Sequence, residues 1–125
     1  MKIASMILRV LFLIQLVFGI AFWTGHDPSG LVLLHMFLGI AFVAVLWVIG
    51  ALAAMRGASM SAIIGTFVLG LIIALFGLVQ RSILPGSGHW VIQIIHLLLG
   101  MAGIGYAEMI VGRTGHTPSP STRTA

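Results

Sequence analysis

Four long apolar runs separated by short polar breaks constrain this chain more than any other feature. They cover residues 3–24, 31–55, 61–80 and 90–111. Each is close to the ~17–25 residues that cross a bilayer as a helix. Lipid offers no hydrogen-bond partner to a backbone amide, so a spanning run must be helical. Composition agrees, with 60% hydrophobic and 6% charged residues, where a soluble domain carries about 25% charged. The expected fold is an all-α, integral membrane four-helix up-down bundle, because such short connections make successive helices antiparallel neighbours. The breaks are rich in turn formers, including Asp27-Pro28 and Pro85-Gly86. The bundle is expected to span residues 1–112, and the Thr-, Ser- and Pro-rich residues 113–125 to form a disordered cytoplasmic tail. Lys2 before an apolar run resembles the start of a signal peptide. The run is nevertheless of spanning length and ends in Phe22-Trp23-Thr24-Gly25, without a small-residue cleavage pattern, so it is read as the first span.

Basic residues set the orientation. Lys2, Arg9, Arg56, Arg113 and Arg123 fall at the end of the bundle that carries the termini and the middle loop, and Arg81 alone falls at the other. Cytoplasmic segments concentrate Lys and Arg. Both termini are therefore expected in the cytoplasm, with the loops around His26 and Pro85 outside, in the periplasm if the membrane is a bacterial inner membrane. Trp23 and Trp90 then lie at the outer interface, as aromatic belts do. A net charge of +4 from six scattered basic residues makes no stripe for nucleic acid. With no cysteine in these residues, disulfides, iron–sulfur clusters, thiolate zinc sites and covalent c-type haem attachment are excluded.

Inside the apolar runs, two histidines occupy matching places. His35 precedes Gly39 in the second run with the spacing by which His96 precedes Gly100 in the fourth. Phe18-Gly19 in the first run likewise matches Phe76-Gly77 in the third. The chain thus reads as two similar helical hairpins related by a pseudo-twofold along the membrane normal. Ionisable side chains are expensive in lipid and mark functional sites by default. Both histidines lie roughly 8–9 Å below the outer helix ends at ~1.5 Å per residue, so their rings share one level on opposite sides of the axis. Two imidazoles so placed are a ligand set for a six-coordinate haem iron. Gly39 and Gly100 lie one turn away on the same faces, where the lack of a side chain gives a broad macrocycle room. Gly19 and Gly77 extend this small surface, with Gly70, Ala74, Gly103 and Ala107 continuing it. The same small-residue spacing also serves ordinary helix packing, and a histidine can simply hydrogen-bond across helices.

Other metals fit these residues less well. Zinc asks for three or four protein ligands, and the spans offer two histidines. A copper site of His35, Met36, His96 and Met101 needs both methionines to turn toward one centre; packing or lipid contact is the simpler role. Arg81, one turn beyond Gly77, lies where haem propionates emerge and can pair with a carboxylate; the alternative is an ordinary interfacial arginine. Gln93 shares a face with His96 and either orients it or makes an interhelical hydrogen bond. Gln15 is another amide in the spans. His26 and His89 are expected to be solvated loop groups; the alternative is a second site of propionate donors, a quinol proton acceptor or weak metal ligands. Glu108 is expected to pair with Arg113 or Arg56, and Arg9 to snorkel toward the interface.

With His35-x-x-x-Gly39 and His96-x-x-x-Gly100 on the second and fourth helices, residues 3–111 resemble a small four-helix membrane b-type cytochrome. The plan is similar to the haem-binding bundles of the cytochrome b561 and haem A synthase groups. The resemblance implies one haem b ligated by His35 and His96, with Gly19, Gly39, Gly77, Gly100, Arg81 and Gln93 around it, and electron transfer as the function. The single histidine pair departs from a two-haem relay, and one bundle departs from the duplicated plan of haem A synthase. An electron carrier is therefore expected rather than a self-contained enzyme, working in the lipid bilayer with other membrane or periplasmic redox subunits or with a quinone. The alternative is a non-catalytic accessory subunit that stabilises or docks a larger complex without haem. A four-helix cation exporter is disfavoured, because such export needs a central membrane carboxylate and Glu108 lies at one end.

Overall fold

A computed structural model describes residues 1–26 and 28–115. They form α1 (Lys2–Trp23), α2 (Ser29–Ala54), α3 (Met60–Val79) and α4 (His89–Gly115), with one 3-10 turn, Gln80–Ser82, after α3. All four are long and apolar enough to cross a membrane, α3 counted with its turn. The chain is an all-α, integral membrane four-helix bundle.

Turn chemistry explains why α1 and α2 stop where they do. Gly25 (φ 86°) and Gly57 (φ 77°) adopt left-handed backbone. The His26 N–H donates to Ala21 O at 2.9 Å and the Gly25 N–H to Phe22 O at 3.1 Å. Ala58 to Ala53 and Gly57 to Ala54, both at 3.0 Å, repeat the pattern. These Schellman closures satisfy carbonyls that a helix end leaves open. Ser59 then caps α3, its side chain accepting from the Ala62 N–H.

The fourth helix runs past the expected end at residue 111. Arg113 lies in its last turn, where a cation complements the helix dipole. Thr114 Oγ1 donates to Ile110 O at 2.8 Å and lies 3.3 Å from Met1 Sδ. Residues 113–115 therefore continue the bundle rather than begin a tail. Residues 116–125, with His116 and Arg123, lie outside the described residues, as does Asp27.

Every pair of helices packs together except α1 with α3. The bundle is thus rhombic, with α2 and α4 on the short diagonal. A twofold that exchanges the hairpins preserves this set of contacts: α1 on α2 becomes α3 on α4, and α2 on α3 becomes α4 on α1.

Buried apolar side chains gather toward one end. Leu8, Leu46, Ile49, Ala53, Ala107 and Ile110 pack there, and Phe42, Val43 and Ile73 close the cluster at mid-height. Several glycines in this half are sockets for larger groups. A Cβ on Gly103 would stand 2.8 Å from Ile73 Cδ1 and 3.1 Å from Phe42 Cε1. Gly70 receives the Trp47 indole, whose Nε1 donates to Phe67 O at 3.2 Å. Gly65 receives Tyr106, whose hydroxyl donates to Ala62 O at 3.3 Å. Lipid provides no hydrophobic force between helices, so close packing and such bonds hold them together. Gly70 and Gly103 are accordingly packing positions, not part of the open small surface that the sequence suggests. Gly70→Ala is expected to evict the indole and lower stability by about 1–3 kcal/mol. A lower midpoint in detergent-driven unfolding, with a changed Trp47 emission, would show it.

The acid in α4 finds a different partner from the expected ones. Arg9 Nη2 lies 2.6 Å from Glu108 Oε2, and its Nε donates to Oε1 at 2.8 Å. Ser5 Oγ adds a third bond to Oε1 at 2.7 Å. Because α1 packs on α4, Arg9 reaches across the helix interface instead of snorkelling, and neither Arg113 nor Arg56 is engaged by Glu108. This polar knot ties α1 to α4 at the end of the bundle where the chain termini lie.

Candidate cofactor site

The half of the bundle near the α1–α2 and α3–α4 loops is hollow. Its cavity measures ≈ 570 Å³, within the ~300–1,000 Å³ typical of small-molecule and cofactor sites. Phe42 and Ile73 lie along its floor, and Arg81, Pro85, Gly86 and His89 lie at its mouth. His35, His96, Gly19, Gly39, Gly77, Gly100, Arg81 and Gln93 all line it. The residues singled out in the sequence are therefore brought together around one space.

The histidines meet because α2 and α4 share the short diagonal. His35 lies six residues after Ser29, the first residue of α2, and His96 seven after His89, the first of α4. At ~1.5 Å per residue these are depths of about 9 and 10–11 Å. The ring centroids are 6.1 Å apart, with planes inclined at 58°. A bond from a metal ion to an imidazole nitrogen is about 2.0 Å, and that nitrogen lies about 1.1 Å from the ring centre. One ion held in line between two rings therefore sets the centroids about 6.2 Å apart. The observed separation is compatible with that spacing and equals that of the Phe76–His96 contact. The Nδ1 atoms of His35 and His96 are buried and have no hydrogen-bond partner. Unpaired polar atoms at membrane depth are costly, so each Nδ1 calls for a partner of its own.

Aromatic side chains wall each ring. Phe22 meets His35 edge-on at 5.3 Å and Phe18 does so at 6.3 Å. Phe76 stacks on His96 at 6.1 Å, with an interplanar angle of 14°. The Phe-Gly pairs repeated in the sequence thus have a shared structural part: in each hairpin, the phenylalanine packs on that hairpin's own histidine.

The glycines act differently from one another. A Cβ on Gly19 would meet nothing within 4 Å, and one on Gly100 would come no closer than 3.6 Å to Phe12. A methyl group fits at both positions, so what glycine keeps clear there is the lumen beyond. At Gly77 a Cβ would stand 3.4 Å from His96 Cε1. At Gly39 the space is already taken: Gln15 Nε2 lies 2.9 Å from where a Cβ would be. The expected room for a macrocycle beside Gly39 is occupied by an amide.

The mouth carries cationic and polar groups. Arg81 is exposed on the 3-10 turn. His89 is not a free loop group, since its Nδ1 lies 3.2 Å from Ile83 O and its ring lines the cavity. His26 stays apart from the cavity, 3.3 Å from Thr24 Oγ1. Among the described residues, no three His, Cys, Asp or Glu side chains converge on one point. Met36 lines the cavity but Met101 does not, so the copper set does not assemble. Sequence reasoning gave no role to Gln15, Phe12 or Phe22. Gln15 carried a signal as one of three amides within the spans, whereas the phenylalanines look like any lipid-facing residue until the helices are assembled.

No family model, curated protein or solved structure matches this chain.

Proposed function

We propose that this chain is a membrane electron-transfer protein that binds one haem b between His35 and His96, near the outer face. One observation carries the reading: two half-buried imidazoles on α2 and α4, with ring centroids 6.1 Å apart, line one largely apolar cavity. Two protein ligands are enough for iron in a macrocycle, because the ring supplies the remaining donors. When bound, haem supplies reversible one-electron chemistry at an iron whose potential depends on its axial ligands and surroundings.

The chain's own residues supply the rest. His35 and His96 offer a nitrogen lone pair each. Phe18, Phe22 and Phe76 keep water from the rings. Arg81 and His89 at the mouth favour the carboxylates of the group, Arg81 through a charge-assisted pair. Gly19, Gly77 and Gly100 leave the lumen open, and Gln93 lines the wall one turn from His96.

The lopsided bundle restricts the route of electrons. The histidine cavity lies in one half of the bundle and the buried apolar cluster in the other, so a single site lies in one leaflet. With both termini in the cytoplasm of a bacterial inner membrane, that leaflet is the outer one. Electrons then enter and leave on the outer side, exchanged with a periplasmic or membrane redox subunit or with a quinone in the bilayer.

The test is the visible spectrum of the purified protein. The dithionite-reduced form is expected to show the narrow bands of a low-spin b-type haem, at one haem per chain. Well-folded protein that neither carries nor takes up haem would end this reading.

A further inference from the structure

We infer that Gln15 is a positioning residue for His35: its amide oxygen accepts the Nδ1–H of the ring and fixes which imidazole nitrogen is left to face the cavity. The consequence for a bound metal rests on the haem reading above; the hydrogen bond itself does not.

Gln15 crosses from α1 to α2, where its Nε2 donates to the backbone carbonyl of His35 at 3.0 Å. The same nitrogen lies 2.9 Å from the place a Cβ of residue 39 would take. Glycine at 39 is therefore what lets the amide lie against α2 beside the histidine. Two polar atoms of this residue pair remain unsatisfied, Gln15 Oε1 and His35 Nδ1, and both are buried. They are complementary. An amide oxygen only accepts, and a neutral imidazole protonated on Nδ1 donates there. Each unpaired atom is costly at membrane depth, and the inferred bond satisfies both. With the proton on Nδ1, the lone pair is on Nε2. Histidines that bind metals are ordinarily held by such an outer acceptor, which fixes the tautomer and raises ligand basicity.

The second hairpin lacks this device. Residue 15 lies four before Gly19, and residue 73 lies four before Gly77, so Ile73 is the counterpart of Gln15. Ile73 packs at Gly103, and the nearest group to a Cβ on Gly100 is the Phe12 ring. His96 Nδ1 is therefore buried without an amide at the matching position. The two histidines are inequivalent, and only His35 has its tautomer set by a side chain of the bundle.

The experiment uses the full chain in detergent micelles with ¹⁵N-labelled histidine, first free of haem and then titrated with it. At about pH 8, above the ordinary histidine pKa, His35 is expected to show the Nδ1–H tautomer in the wild type. In Gln15→Leu it is expected to become a mixture, while His96 is unchanged. Gln15→Glu keeps an acceptor oxygen and is expected to preserve the wild-type tautomer. In the titration, Gln15→Leu is expected to bind haem ten- to a hundredfold more weakly, on the order of other losses of an outer-shell partner. Its reduction potential is expected to rise, because the ligand has become less basic. Should Gln15→Leu fail to fold, Gly39→Ala displaces the amide without removing it and is expected to give the same loss of tautomer preference. A His35 tautomer that is the same in wild type and Gln15→Leu overturns the inference, as does a wild type protonated mainly on Nε2. If wild type shows the expected tautomer and takes up no haem, the haem reading falls and the hydrogen bond stands.

Discussion

His35→Ala or His96→Ala is expected to abolish the low-spin haem spectrum while leaving the bundle folded. The cavity contains no third imidazole at the same level, and the Met36 thioether is the nearest alternative donor in sequence. Its other polar side chains include Gln15, which is anchored to the His35 carbonyl, Gln93, Gln80, Trp23, and Arg81 and His89 at the mouth. Binding energies of roughly 10–16 kcal/mol are shared among the ligands of a typical metal site. Removing one of two axial bonds should therefore weaken haem on the order of a thousandfold. The fold should tolerate the change, because neither histidine belongs to the buried cluster around Leu46 and Ile49. The measurement pairs the reduced optical spectrum with gel filtration and far-UV circular dichroism. Free imidazole, which can enter the space left by the deleted ring, is expected to restore part of the low-spin signal. An alanine variant that keeps an unchanged low-spin spectrum would falsify bis-histidine ligation.

Gly103→Leu is expected to have the largest effect on stability, and to reach the site indirectly. Even the first carbon of a side chain at 103 would stand 2.8 Å from Ile73 and 3.1 Å from Phe42. A leucine adds three more heavy atoms where two buried side chains already meet. Overpacking of this kind costs about 1–3 kcal/mol, with the upper end or beyond expected for so large an insertion. The helices can relieve the clash only by separating, or by pushing Phe42 and Ile73 upward. Both of those residues line the cavity floor, so haem uptake should fall together with stability. Gly19→Ala is the matched control, because a methyl group there meets nothing within 4 Å. A lower unfolding midpoint in Gly103→Leu, set against near-wild-type behaviour in Gly19→Ala, would separate socket from lumen. Equal behaviour of the two variants would show that the floor is not packed as described.

The four spans were legible in the sequence because the bilayer leaves a long apolar run few options. Helix is the backbone form that satisfies its own hydrogen bonds in each run, and turn residues mark where runs break. The shared depth of His35 and His96 followed from helical rise alone. Small deviations came at the ends, where local bonds decide: Thr114 and Arg113 carry α4 beyond the expected stop at 111.

Contacts across the bundle were not legible in the same way. Arg9 rather than Arg113 or Arg56 meets Glu108, Gln15 rather than open space covers Gly39, and Trp47 fills Gly70. Each of these depends on how far a helix is turned about its own axis. A soluble helix announces that rotation through a polar face and an apolar face. These helices are apolar on nearly every side, so no stripe tells which residues look inward.

The sequence by itself determined that the chain crosses a membrane four times and that two histidines lie at one level, because lipid dictates helix and helix dictates depth. Only the tertiary structure decided that α2 and α4 share the short diagonal, that their imidazoles line one cavity with centroids 6.1 Å apart, and that the buried apolar cluster gathers in the opposite half. Rotation and neighbour choice arise from side-chain shapes meeting in three dimensions, where Gly103 accepts Phe42 and Ile73, and Gly39 accepts the amide of Gln15.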